Sequence, residues 1–174
     1  MGEGAAGRAG VVLYPHAALA QGAAPRAWLD DSVLAAGAKL LAAMDATQAW
    51  GLAAQHIGLV EPVIALNLGE DGAGCKDTLL YNPRVLAVAD ETARGPEGSV
   101  SLPGIEVEIE RPVWALIGYD DAEGQRREQR FSGFQARCAL HEIEQMGGMF
   151  FLARLSRLKR DMVLKRVEKL RRQG

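Results

Sequence analysis

Three short stretches hold the side chains best suited to hydrolytic chemistry. Gly51-Leu-Ala-Ala-Gln-His-Ile-Gly58 brings His56, Glu97-Gly-Ser-Val-Ser-Leu-Pro-Gly104 brings Ser99, and His141-Glu-Ile-Glu-Gln145 brings His141 and Glu142. Imidazole and carboxylate groups exchange protons near neutral pH, a hydroxyl beside an imidazole is a nucleophile, and an imidazole lone pair binds first-row metals. His141 and Gln145 are four residues apart, so on a helix they share one face. The glycines at 51, 58, 98 and 104 permit tight turns and close backbone approach, a need that holds with or without catalysis.

The flanking sequence predicts the elements that position these groups. Asp30-Asp31-Ser32 offers capping side chains, and Val33, Leu40, Leu41 and Met44 follow at helical spacing, which predicts a helix over Asp31–Ala46. Gly51–Gly58 reads as a turn feeding a buried strand over Val63–Leu68. Asp71-Gly-Ala-Gly74 is a loop, and Thr78–Tyr81 is a strand stopped by Asn82-Pro83. Ile105, Val107 and Ile109 alternate with Glu106, Glu108 and Glu110, a strand with one wet face that Pro112 ends. Val113–Tyr119 and Gln125–Phe131 form a hairpin around Asp120–Gly124. A second helix begins at Ser132 or Gly133 and closes at Gly147-Gly148, and a third spans Arg157–Arg172 with Leu158, Met162, Val163, Val167 and Leu170 on one side. The fold class expected is α+β, with helices packed on antiparallel strands.

At 174 residues, 48% hydrophobic and 24% charged, the chain suits one globular domain over 11–174 after a loose Gly/Ala-rich tail over 1–10. No apolar run is long enough for a membrane span, so no membrane partner is expected. Cys75 and Cys138 form no paired motif, which favours a reducing, cytoplasmic setting. The net charge of −2 hides nine basic residues against Asp161 and Glu168 over 154–172, a local +7. That end is either a solvated helix face or a contact for nucleic acid or a ribosomal surface.

Together, in this order and at this separation, the three stretches resemble the signature motifs of the peptide deformylase family, G-x-G-L-A-A-x-Q-x-G, E-G-C-L-S and H-E-x-D-H. Tyr81-Asn82-Pro83, Glu110-Arg111-Pro112 and Arg154-Leu-Ser-Arg-Leu-Lys-Arg-Asp-Met162 also resemble family sequence, and the likeness runs from about Val11 to Leu170. The resemblance implies antiparallel sheet folded around a central helix carrying His141-Glu142. It implies a divalent metal, zinc, iron or nickel, held by the Cys and both His. Further implied are Glu142 as general acid/base, and an oxyanion stabilised by the motif Gln and by the backbone N–H that Val100 would supply.

His141 and Glu142 match that pattern, but Ser99 replaces the Cys, Gln145 the second His and His56 the Gln. Hydroxyl and carboxamide are poor donors to these metals, so the expected cofactor is either a weakly bound divalent cation or none. With the fold kept, positions 56 and 145 are expected to face the same cavity, so that the His/Gln exchange moves an imidazole across the site. Two arrangements then follow: a rearranged metal site with His56 and His141, helped by Glu142 or Ser99, or a metal-free site with Ser99 as nucleophile, His56 or His141 as base and Val100 N–H as oxyanion donor.

Trp50, Gly51 and Leu52 are expected in the pocket, Trp50 reshaping its edge. Trp28 and Trp114 are expected in core or pocket wall, His16 on the surface, Cys138 as a small buried residue, and Glu144 either orienting a neighbour or solvated, with no direct part in the chemistry. Three functional readings result. The preferred one is a re-tailored hydrolase or acyl-transfer enzyme acting on an N-acyl or amide substrate, a peptide or small acylated molecule. The others are a non-catalytic peptide or partner binder and a metal-dependent deformylase of N-formylmethionyl peptides, with ribosome contact through the last helix as a candidate interaction.

Overall fold

Helix α1 (Asp31–Thr47) starts where Asp30 accepts the Val33 N–H at 3.0 Å and ends on Gln48, which takes a left-handed conformation. The computed structural model to which it belongs describes residues 10–69 and 77–174. The 71–74 loop, Cys75 and all of the expected tail but Gly10 lie outside the described residues.

After α1 come β1 (Gly51–Ala53), a 3-10 turn (Ala54–Ile57), β2 (Val63–Leu66), β3 (Thr78–Val88), β4 (Thr92–Gly98), β5 (Glu106–Pro112), β6 (Trp114–Asp120) and β7 (Arg126–Ser132). Helix α2 (Gly133–Met146), a second 3-10 turn (Phe151–Arg154) and α3 (Arg157–Gln173) complete the chain. Five strands form one antiparallel sheet in the order β1-β2-β3-β6-β7, and β4 and β5 form a separate antiparallel ribbon. This is the α+β architecture expected from the pattern of elements.

The apolar run of β2 is explained by burial on both faces. Ile64 and Leu66 pack with Leu80, Ile117 and Phe131 under α2, whereas Val63 and Ala65 pack with Val33, Leu40 and Met44 of α1. Each such large side chain contributes roughly 1.5–3 kcal/mol by leaving water, so the layers fix where α2 lies. Ile105 and Ile109 join Leu19, Phe150, Phe151, Leu152 and Val167 in a third cluster, which ties the ribbon to α3. Glu106, Glu108 and Glu110 stay exposed, as the alternation requires.

Several expectations are corrected. Asn82-Pro83 does not stop β3; the strand runs on to Val88 with register shifts against β6. Asn82 absorbs the irregularity at φ 47°, its side chain receiving the Arg26 N–H and donating to Arg26 O and Asp120. Strand β4 was not expected at all. Trp28 is 75% exposed, so it is neither core nor wall. Leu158 and Met162 project from α3 into solvent, and of the apolar side of α3 only Val167 is buried. Among the described residues no helix is long and apolar enough to cross a membrane.

Candidate functional site

The β1–turn–β2 unit, the end of the β4–β5 ribbon and α2 converge on a cavity of about 380 Å³. Trp50 and Phe134 stand at its mouth, edge to face at 5.5 Å and both more than half exposed. His56, Ser99, His141 and Glu142 are among the polar groups of its lining, with Glu97, Glu106 and Arg137 beside them. Gly51 allows this arrangement, since a Cβ there would come within 2.9 Å of Glu142 Cγ.

His141 is fixed from behind. Its Nδ1 lies 2.7 Å from Glu97, whose carboxylate also holds Arg111 in a two-pronged pair at 2.7 and 2.9 Å and Arg137 at 3.0 Å. Arg111 is almost wholly buried, and its Nη1 lies 2.8 Å from Glu144 as an ion pair without hydrogen-bond alignment. Glu144 is in turn held by Arg154, so it orients neighbours as expected. Burial alone would raise the Glu97 pKa, but the hydrogen bonds and charges of Arg111 and His141 outweigh it and hold the carboxyl at about 2. Burial likewise opposes a charged His141, yet the bond to Glu97 and the Glu142 carboxylate raise its pKa overall. With Nδ1 committed to Glu97, His141 turns Nε2 towards Glu142 Oε1, 3.9 Å away.

His56 is oriented differently. Its Nδ1 accepts the buried Ala53 N–H at 3.0 Å, so in the neutral ring the proton belongs on Nε2, which lies 3.4 Å from Ser99 Oγ. Burial, reinforced by His141, pushes its pKa down to about 3. Ser99 Oγ also accepts the Ser101 N–H at 3.1 Å. Glu142 lies between the imidazoles, Oε2 3.6 Å from His56 Nδ1 and without a hydrogen-bond partner. Burial raises its carboxyl to about 7. Cys138 lines the cavity half-buried, its thiol pushed up to about 12 by burial and the neighbouring carboxylates, so it stays protonated.

A family model described as polypeptide deformylase matches residues 9–161. The chain belongs to that family. It is 38% identical over 163 residues to a peptide deformylase-like protein of Agrobacterium fabrum, covering 92% of this chain and 96% of that one. To a peptide deformylase of Phenylobacterium zucineum it is 35% identical over 159 residues, with 91% and 94% covered. Its fold superposes on a peptide deformylase from Ehrlichia chaffeensis with a TM-score of 0.85 at 27% identity, covering 94% and 96% of the two chains. A structure of the Ehrlichia chaffeensis protein in complex with actinonin gives 0.83 at 29%, with 91% and 95% covered.

The deformylase resemblance implies a divalent metal, and the residues here do not supply its three-donor set. Gln145 is buried, but its amide donates to Leu19 O at 2.8 Å and it does not line the cavity, contrary to the expected shared cavity for positions 56 and 145. Its carboxamide is drawn to the backbone of the segment packed against the end of α2. With Nδ1 accepting the Ala53 N–H, a neutral His56 ring offers no lone pair on Nε2, and among the described residues no three His, Cys, Asp or Glu side chains gather as a metal cage. Leu52, expected in the pocket, is fully buried in the α1 cluster because it alternates with Gly51 across β1. Trp50, Gly51 and Val100 do line the cavity. His16, expected at the surface, is half-buried and caps a 3-10 turn by accepting the Ala18 N–H.

Glu97, Arg111 and Arg137 had no role assigned from sequence, yet they orient His141. A signal was available: Arg111 falls on the same phase as Ile105, Val107 and Ile109, and a cation on the buried phase of a strand requires a buried carboxylate.

Proposed function

We propose that this chain is a hydrolase of N-acyl or amide bonds, in a deformylase fold whose centre is recast around Glu142, His141, His56 and Ser99. The observation that carries the proposal is Glu142: a buried carboxyl in the cavity between two imidazoles, with one oxygen lacking any hydrogen-bond partner. Such a group with a pKa of about 7 is matched to proton transfer at neutral pH. In the reaction Glu142 takes a proton from water as the water oxygen bonds to the acyl carbon. It then returns that proton to the nitrogen as the C–N bond breaks, leaving a carboxylic acid and an amine. The aromatic mouth formed by Trp50 and Phe134 suits a substrate with an apolar side chain beside the acyl group, as in a peptide.

The weak donors Ser99 and Gln145 argue against the metal-dependent deformylase reading. The exposed aromatic pair favours the non-catalytic binder as the second reading. Turnover of N-formyl, N-acetyl and longer N-acyl peptides, with nickel or zinc added and with chelator present, separates them. Chelator-insensitive hydrolysis is expected. Hydrolysis only with metal would restore the metal-dependent reading, and peptide binding without turnover would establish the second.

A further inference from the structure

The hydrolase chemistry leaves one charged side chain of the cavity without a partner. Glu97 is countered by Arg111 and Arg137 and bonded to His141, and Arg137 commits its guanidinium to Glu97 and to the carbonyls of Ala93, Gly95 and Ile109. Glu106 lines the same cavity and is exposed, and among the described residues its carboxylate makes no hydrogen bond or ion pair. We propose that Glu106 and the Trp50–Phe134 pair form a subsite for a basic side chain, so that the substrate is an N-acyl peptide with lysine or arginine as the acylated residue. The proposal rests on the hydrolase reading above and adds to it the part of the substrate that the bond cleavage does not touch.

The register of the β4–β5 ribbon delivers this carboxylate. Glu97 pairs with Val107 and Glu106 with Gly98. Cross-strand partners share a face, so Glu97 goes with Val107 to the inner side, where it is buried, and Glu106 goes to the other, beside Gly98 and one residue from the Ser99 position. Gly98 has no side chain to cover it. The rings arrive from elsewhere: Trp50 just precedes β1 and Phe134 lies in the first turn of α2, 60% and 52% exposed. Three elements therefore present a carboxylate and two aromatic rings to one cavity, and none of these groups takes part in the proton transfers assigned to Glu142.

That combination fits one class of side chain. Lysine and arginine carry a cationic head on an apolar stem. The stem covers the exposed rings, whose faces also attract a cation, and the head meets the unpaired carboxylate. A purely aliphatic side chain would use the rings and leave Glu106 idle. An acidic one would meet a like charge and find no cation in return, because Arg137 is the one lysine or arginine of the lining and its N–H groups point into the ribbon, with only 12% of the side chain exposed. The free charge of the opening is thus negative, and selection is for a positive group.

The test compares N-formyl and N-acetyl dipeptide amides that differ only in the acylated residue, lysine, norleucine or glutamate, on the full chain at low salt. Norleucine keeps the lysine stem and lacks its charge. Lysine should exceed norleucine in kcat/KM by about 2–5-fold, as an exposed ion pair allows, and exceed glutamate by about 4–25-fold. Both ratios should shrink in 0.5 M sodium chloride, where about 4 Å of solution screens a charge. Glu106→Gln should bring lysine and norleucine together, and Glu106→Lys should place glutamate above lysine. Equal kcat/KM across the series in the parent, or a lysine preference that survives unchanged in Glu106→Gln, would overturn the subsite. If none of the peptides is turned over, the hydrolase reading fails by itself. The subsite is then decided by calorimetric titration of the same intact peptides: lysine should bind about 4–25-fold tighter than glutamate in the parent and no tighter in Glu106→Gln. Equal affinities, or no binding of any peptide, would refute it.

Discussion

Replacing Glu142 with Gln tests the site through stability and activity together, and the two should move in opposite directions. The Glu142 carboxyl has a pKa of about 7 in the folded chain against an ordinary 4.5, chiefly through burial. Below pH 4.5 it is protonated in both folded and unfolded chains and costs nothing. Between 4.5 and 7 the unfolded chain ionises first, so stability falls as pH rises, and above 7 the loss is complete. A shift of this size corresponds to about 3 kcal/mol. The glutamine variant has no proton to lose there, so its stability advantage should grow from near its acid value to about 3 kcal/mol above that value at pH 8. Any constant offset from the amide's own hydrogen bonding cancels, because the measured quantity is the change with pH. Urea unfolding at half-unit steps from pH 4 to 8.5 gives both curves. Parallel curves would refute the burial argument. Over the same range kcat/KM of the parent should rise through about pH 7, as the carboxylate form becomes available to act as base. The variant should lose about 10²–10⁴ in rate. A fully active variant would refute the assignment of Glu142 as the proton carrier.

Further substitutions probe the supports. Arg111→Met leaves the buried Glu97 with fewer counter-charges and should cost about 3–5 kcal/mol in urea unfolding, the usual loss when one partner of a buried pair is removed. Gln145→Ala strips the buried Leu19 carbonyl of its donor and should cost about 1–3 kcal/mol; Gln145→His alone should create no nickel site detectable by calorimetry. Trp50→Ala removes one half of the aromatic mouth and should raise KM for acyl peptides several-fold with kcat little changed, read by steady-state kinetics.

How far the sequence could be read depended on whether a feature was local. All three helices were legible to within a residue or two, because Asp30, Gly147-Gly148 and the 3.6-residue spacing act within a few positions. Strand β4 was not legible. Thr92–Gly98 contains Gly95 and Pro96 and lacks alternation, and it is a strand because every residue pairs with β5, a fact no local pattern carries. The Asn82-Pro83 bulge failed for the same reason: a proline ordinarily ends a strand, but here Asn82 is held by Arg26 and Asp120, 56 and 38 positions away. Within the site, the motifs located His56, Ser99, His141 and Glu142 together, while the Glu97–Arg111–Arg137 cluster behind His141 needed the ribbon pairing to become visible.

The exchange of His and Gln between positions 56 and 145 shows what residue type alone leaves open. Helical spacing places residue 145 on the same face as His141, but a face is wide enough for two directions. Gln145 brings an N–H donor, and the acceptor within reach is Leu19 O, on the segment that packs over the end of α2. That packing is tight: Gly148, at φ 85°, would place a Cβ 2.7 Å from Gly22 N, so the N-terminal segment lies directly against the helix end. Gln55 binds the same region, donating to Gln21 O and Met146 O. A metal-binding imidazole at 145 would have to present a lone pair to the cavity, whereas the carboxamide presents a proton to the backbone behind it. The substitution therefore changes direction as well as donor strength. The imidazole at 56 is no transplant of the one implied at 145, because it presents a proton to the cavity where a ligand presents a lone pair. Gln145 donates to the backbone that closes around α2, and His56 turns Nε2 towards the cavity beside Ser99, so the pair of changes does not rebuild the implied metal site across the cavity.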